Sequence, residues 1–457
     1  MKNSQSGFVP IPILLFICSF LFPVTSNFFV GHIQLTPQKL LVLILFVPTV
    51  LGYLKVKNKK NYDLIFFVFA TWLLLCISVN TNFIFVYNDI FVYISYITVF
   101  CLVQSQFKNL KQIRNTVIFI FFVVVALLFL AIPESYTGNR YLPNFATSIT
   151  GSYYPFRNDI RMGLFRAQTV FSHAIYHGVF CAVILSYMWY LLDNFLFKVV
   201  SALLIIGATF FSLSSGPLTA LTMQIVMIVI ETFTRQIKNR GKKITLLLLF
   251  SYVFLEIASK GPFINFLART LSFNAGSAYN RILIWEHTTD DIMRNPFFGF
   301  DPFTWTRPHW MGGSVDSYWL VAAMTGGLPA VVMLAFCIIF IVRGLFARPD
   351  ETVIPEYVKL RRGAAFTLIA LCVCGATVDF FREAEPLFVF YLAIAALLAR
   401  WSDDPMVLRK SRDASPDEDL SGLAKPKLGY TRPRRSAQGD LAHPSRSSAA
   451  LSPAGRR

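Results

Sequence analysis

The sequence predicts an all-α fold: a polytopic helical membrane protein of about 12 transmembrane helices, with a large outer-face loop between helices 9 and 10. Three observations predict it. The 457 residues are 55% hydrophobic and only 15% charged, against about 45–50% and about 25% in soluble domains. Apolar runs recur at close to the roughly 20 residues needed to cross hydrocarbon. Basic runs follow the second, fourth, eighth, tenth and twelfth apolar runs, the pattern of loops retained on the cytoplasmic side, and the turn after the sixth is nearly neutral.

The expected spans follow from those runs in order. The first covers 8–29; it shows no small-x-small cleavage step and leads on to further spans, so it reads as an anchor. The next are 37–54, 62–79, 83–103 and 115–132, with basic residues after the second and the fourth. A polar outer loop, 133–172, leads to 173–192, 199–213, 217–233 and 244–258. Residues 1–258 thus hold helices 1–9, and 259–314 form the large periplasmic loop. Residues 315–401 hold helices 10–12, at 315–342, 363–381 and 386–401. From 402 to 457 the chain becomes rich in Ser, Pro and Arg with few large apolar residues, which reads as a disordered cytoplasmic tail. Basic runs after even-numbered spans place both termini in the cytoplasm.

The net charge of +17 is accounted for by these retained loops and the tail, so nucleic acid is not an expected partner. All seven cysteines lie in apolar runs without metal spacing and read as small buried residues. His173 and His177 are four apart, but no acidic partner or H-E-x-x-H pattern accompanies them, so no metal or other cofactor is expected.

The outer loops break the charge rule. Arg140, Arg157, Arg161 and Arg166 lie in the first, and Arg269, Arg281, Arg294 and Arg307 in the second. Arginine on this side works against retention, and its forked guanidinium suits phosphate and carboxylate. The bland alternative is snorkelling to the interface or pairing with Asp159, Asp290, Asp291 or Asp301.

Four features fall on the same face. They are RAQTVFSHAIYHG from Arg166 to Gly178, SLSSGPLTAL from Ser212 to Leu221, NRILIWEHTTDDIMRNPFFGFD from Asn280 to Asp301, and VDSYWLVAAMTGGLP from Val315 to Pro329. Their order resembles the bacterial superfamily of O-antigen ligases, O-antigen polymerases and exopolysaccharide polymerases. Arg166, Thr169, Phe171, His173 and Gly178 match that family's Arg before a T-F-x-H step. Ser212, Ser214 and Gly216 match its S-x-S-R-G turn, with Ser215 in place of the Arg. Arg281 with Trp285, and Pro296 with Gly299, match R-x-x-x-W and P-x-x-G. Asp316 stands where the ligase pattern has His-Asn.

The resemblance implies an inner-membrane glycosyltransferase working on the periplasmic face of a bacterial cell. It would polymerise oligosaccharide units carried on a polyprenyl diphosphate, without a metal or nucleotide cofactor. Its partners would be that donor, a growing glycan or lipid acceptor, the membrane and a chain-length regulator protein. Asp316 in place of His favours polymerase over ligase. Arg166 and Arg281 are the candidate clamp for the leaving diphosphate, with Arg161 in reserve. Asp316 or, alternatively, His173 is the candidate general base. Arg157, Arg294, Ser214 and Trp285 complete the candidate substrate-binding set. Against these stand plainer readings: Arg166 as a headgroup anchor, Arg281 paired with Asp290 or Glu286, Asp316 as a helix N-cap, and the tryptophans as an interfacial belt. The rival class is a transporter or flippase of lipid-linked sugars. Against it, Glu231, Glu256 and Asp379 lie near span ends, whereas transporters tend to carry ionisable groups at mid-bilayer.

Overall fold

A computed structural model describes residues 7–23, 25–30, 33–80, 83–152, 154, 156, 159–234, 275–380 and 384–408. Among them the chain is an all-α polytopic membrane protein. Seven helices are long and apolar enough to cross a membrane, and the strands are two short hairpins.

The helices fall close to the expected runs because length and hydrophobicity define them. They are α1 (Ile11–Ser19), α2 (Pro37–Leu54), α3 (Asn61–Asn80), α4 (Phe83–Gln106) and α5 (Leu110–Thr137). After a surface helix, α6 (Tyr141–Thr150), come α7 (Ala174–Ala182), α8 (Leu185–Leu191), α9 (Phe195–Phe210) and α10 (Ser215–Thr234). The last are α11 (Ala275–Arg294), α12 (Tyr318–Leu345), α13 (Pro355–Cys374) and α14 (Ala384–Trp401). Hairpin β1 (Phe28–Val30) with β2 (Ile33–Leu35) follows α1, and β3 (Ile160–Arg161) with β4 (Leu164–Phe165) precedes α7. Starts are set by caps: Thr36 accepts from Lys39 N at 3.2 Å, and Asn109 from Gln112 N at 2.9 Å.

Four expectations need correction. The first span is helical only over Ile11–Ser19. The eleventh runs 355–374 and not 363–381, because Arg361 and Arg362 are drawn into the helix by Asp350 and Glu231. The large polar loop contains a helix, α11. The tail starts later than 402: Ile354 N donates to Val407 O at 2.9 Å and Val407 is buried. The expected ninth span, 244–258, and residues 409–457 lie outside the described residues.

α14 is the hub. Apart from half-buried Glu385 all its residues are buried, as a helix apolar on every face between its charged ends must be when neighbours surround it. α4, α12 and α13 pack against it, and α7 more lightly. The peripheral helices instead keep apolar stripes exposed. On α2 the row Leu40, Leu43, Ile44, Val47, Leu51 and Leu54 follows helical spacing, which is a face for lipid.

Two spanning segments are broken, and each break has its backbone groups satisfied by other parts of the chain. Between α7 and α8, Gln224 takes Ser186 N at 3.0 Å and donates to Ala182 O at 2.9 Å, while Thr367 donates to Val183 O. In α12, Gly327 sits at φ 67°, which only glycine adopts freely. There Phe300 N donates to Met324 O, Leu328 N to Pro296 O, and Trp72 Nε1 to Gly326 O. Irregular backbone at such depth needs protein partners, because lipid offers none.

Hydrogen bonds sort the loops into two ends. At one end Thr25 donates to Pro143 O, Arg161 to Leu213 O, Trp285 to Ala376 O and Asn80 to Phe298 O. At the other, Lys60 and Arg348 meet Asp403, and Lys359 meets Asp193. Near this second end Arg400 lies 2.6 Å from Asp63, both buried. Removing one partner of such a pair strands a buried charge. Arg400→Ala is expected to cost about 3–5 kcal/mol, read by thermal unfolding in detergent. Arg400→Gln with Asp63→Asn should recover most of that loss.

Candidate functional site

Three arginines converge on the tight turn between α9 and α10. Arg166 Nε donates to Ser212 O at 3.2 Å, Arg161 Nη1 to Leu213 O at 3.1 Å, and Arg281 Nη2 to Ser215 Oγ at 3.1 Å. The turn holds an unusual backbone: Leu213 has φ 44°, a left-handed conformation that a branched side chain adopts only when its surroundings impose it. Close packing imposes it here. A Cβ on Gly216 would collide with Val378, and one on Gly178 with Ser212 and Pro217, so the turn is wedged between α7 and the loop after α13.

The segment before α7 holds Arg166 in place. Ala167 N donates to Phe211 O at 2.9 Å, and Arg166 N to Asp159 O at 3.1 Å. Arg166 is buried and reaches half-buried Asp159 through Nη1 at 3.0 Å. Downstream, Thr169 is also left-handed at φ 53°. Glu134 secures it, taking Gln168 N at 2.8 Å and Thr169 N at 2.9 Å.

The second wall is the loop after α13. Tyr318 N donates to both Gly375 O at 2.8 Å and Val378 O at 3.0 Å. Ser317 Oγ reaches Gly375 O at 3.3 Å, Trp285 Nε1 reaches Ala376 O at 3.4 Å, and Cys374 Sγ reaches Gly216 O at 3.4 Å. Two carboxylates result at this junction, Asp316 before α12 and Asp379 after α13, both half-buried. Burial raises the Asp316 carboxyl, and the nearby Arg281 guanidinium draws it back down. Burial lowers Arg281 from its ordinary value, while Asp316 opposes that and Arg161 adds like-charge repulsion. Burial pushes Asp379 up to about 8, and the charge of Asp316 adds to the rise.

The candidates therefore divide. Arg161, Arg166, Arg281, Ser214 and Asp316 come together around the turn, with Ser214 buried inside it. Trp285 borders the site but its indole N–H is used by Ala376. His173 is the N-cap of α7, its Nδ1 accepting from Ile175 N at 3.1 Å. Arg294 stands apart. It is exposed, paired with Asp291 at 3.0 Å, and 13 residues beyond Arg281, about 20 Å along the helix. Arg157 lies outside the described residues. The N-cap expected of Asp316 belongs to Ser317, whose Oγ takes Leu320 N at 3.4 Å. Pro296 and Gly299 belong to the segment that fills the α12 break. Asp379, read only as a span-end charge, joins Asp316; its position after the apolar run of α13 was the one signal for it.

No protein-family model matches the chain, and no curated protein matches it.

The Asp379 carboxyl carries a pH signature. The folded protein holds a proton that the unfolded chain releases above about 3.9. Its contribution to stability is complete below that pH and is lost as pH rises through about 8. Asp379→Asn is expected to flatten the fall in melting temperature over this window and to exceed wild type above it, as measured by thermal unfolding across a pH series.

Proposed function

We propose that the protein is a metal-independent glycosyltransferase of the bacterial inner membrane. On this reading it polymerises oligosaccharide units carried on a polyprenyl diphosphate, on the periplasmic face, with both termini cytoplasmic. The observation that carries the reading is the convergence of Arg161, Arg166 and Arg281 on the Ser212–Ser215 turn beside Asp316. Cleavage of an anomeric C–O bond to diphosphate develops negative charge on the leaving oxygen. Guanidinium groups already fixed at that place stabilise the transition state more than the ground state. Asp316 then removes the proton of the incoming sugar hydroxyl. The resemblance to the O-antigen ligase and polymerase superfamily supports the same roles. In that pattern the turn carries its own Arg; here Ser215 stands at that position and receives a guanidinium from Arg281. Polymerase is preferred to ligase because Asp316 occupies the ligase histidine position.

A transporter of lipid-linked sugars is the second reading, and the two broken spans favour it, since transporters build binding sites from discontinuous helices. Both breaks are filled by protein groups, however, by Gln224 and Thr367 in one and by Pro296, Phe300 and Trp72 in the other. Arg161, Arg166, Arg281 and Asp316 gather instead at the turn between α9 and α10.

The test uses the full chain in nanodiscs with lipid-diphosphate-linked oligosaccharide as the only substrate. Wild type is expected to give a ladder of multiples by gel or mass spectrometry. Arg166→Ala and Arg281→Ala should each lower its rate roughly 100- to 1,000-fold, with Asp316→Asn similarly impaired. Transfer only after a separate acceptor is added identifies a ligase. Uptake of the lipid-linked sugar into proteoliposomes without any product identifies the transporter.

A further inference from the structure

The loop expected to be polar after the fifth span contains a helix, α6, with an apolar row on its surface. Tyr141, Phe145 and Ile149 follow one another on successive turns, and Phe145 and Ile149 are 64% and 69% exposed. Asn144 and Ser148, also exposed, form a polar row beside them. Pro143 and Ala146 are buried on the remaining side.

The neighbouring helices show what meets the apolar row. The exposed face of α5 carries Phe122, Phe129 and Tyr136 at helical spacing, a stripe for lipid. That stripe ends on Tyr136 in the last turn of α5, and a turn through left-handed Gly138 leads on to Tyr141. The row on α6 therefore begins where the stripe on α5 ends.

α1 stops short beside it. Its nine helical residues cover about 14 Å, half of the roughly 30 Å of hydrocarbon. It starts level with the beginning of α5, since Gly7 O takes Asn115 Nδ2 at 2.7 Å. Irregular chain makes the rest of the distance, and Thr25 Oγ1 then donates to Pro143 O at 3.0 Å. The early end of the helix leaves an open groove of about 310 Å³, with Phe22 and Pro23 on one side and Leu142, Phe145, Ala146 and Ile149 on the other. That volume is at the small end of ligand clefts, about 300–1,000 Å³. None of its described lining residues is charged.

We infer that α6 lies along the membrane interface with its Tyr141, Phe145 and Ile149 row in the hydrocarbon boundary, and that the groove between α6 and the end of α1 holds one acyl chain of a phospholipid, whatever reaction the arginine turn performs. Asn144 and Ser148 then face head groups and water, as in other amphipathic helices that lie in the interface. A wet groove would leave Phe22, Phe145 and Ile149 against water, at a cost proportional to their apolar area. The arginines of the α9–α10 turn are not in the lining, so the groove takes a tail and offers no cation to a diphosphate. Phospholipid chains are what a bilayer presents at this depth in the greatest number.

Two measurements on the full chain in nanodiscs of phosphatidylethanolamine and phosphatidylglycerol test this. In the first, a trifluoromethyl-phenylalanine is introduced at Phe145 in one sample and at Ser148 in another. The fluorine signal at Phe145 should be broadened by a chain-labelled nitroxide lipid and spared by a soluble gadolinium chelate, with the reverse at Ser148. Broadening at Phe145 by the chelate puts the row in water and overturns the inference. Broadening there by neither agent means that protein, such as a second copy of the chain, covers the row, and overturns it too. In the second, phosphatidylglycerol with a diazirine near the end of one acyl chain should crosslink to peptides containing Phe22 and Phe145. Ala146→Trp, which fills the groove, should lower that yield severalfold. Ile149→Gln, at an exposed position, should lower it without changing the melting temperature. A yield unaltered by Ile149→Gln, or by a folded Ala146→Trp, overturns the groove. Loss of the crosslink on adding a trace of an isoprenoid phosphate assigns the groove to an isoprenoid tail and overturns the phospholipid.

Discussion

Backbone carbonyls and amides buried at the end of a membrane bundle need partners as urgently as those in its centre. The turn between α9 and α10 is where that requirement is most demanding. Ser212, Leu213 and Ser215 are all buried, and the left-handed Leu213 leaves the carbonyls of Ser212 and Leu213 unable to continue a helix. Guanidinium groups answer them: Arg166 takes Ser212 O and Arg161 takes Leu213 O. Arg281, from a segment far along the chain, adds a bond to Ser215 Oγ. The positions of α7, the β3–β4 hairpin and α11 all follow from these bonds, because each contributes or adjoins one of the arginines.

The same constraint explains polar residues scattered through apolar runs. Gln224 and Trp72 lie in spanning helices and Thr367 lies in α13, yet each satisfies the backbone of a break in another segment. Glu134, at the last turn of α5, does the same for the amides of Gln168 and Thr169. These side chains serve irregular backbone, and the irregular backbone in turn sets the loops that carry the charged site.

Electrostatics at the site is a consequence of that packing. Guanidinium groups drawn in by the turn are fixed in place, so positive charge is held close to it. Asp316 and Asp379 are then brought to the same corner by the Tyr318 and Ser317 bonds to the loop after α13. Preorganised charge of this kind needs little rearrangement to meet an anionic group. In the proposed reaction that group is the leaving diphosphate.

Hydrophobic run length, the alternation of basic loops and the misplaced arginines determined a good deal by themselves. They located most helices, because burial in lipid is dictated by composition over a window of some 20 residues. They also singled out Arg161, Arg166 and Arg281 among the loop arginines, because charge expected on the wrong side of a topology rule stands out in one dimension, while Asp316 came from the family resemblance. The sequence put both Arg281, as clamp, and Arg294, as substrate contact, in one site. Both are arginines in one polar stretch, and only the helix between them places one at the turn and the other on an exposed face with Asp291. It could not give His173 its capping role, or reveal that Pro296 and Gly299 fill a break in α12, since both depend on where a neighbouring backbone stops being helical. Nor could it bring Asp379 near Asp316. Those residues lie 63 positions apart, and what joins them is a backbone amide reaching across to another loop. Long-range hydrogen bonds of that sort leave no periodic trace, so the tertiary structure alone decided them.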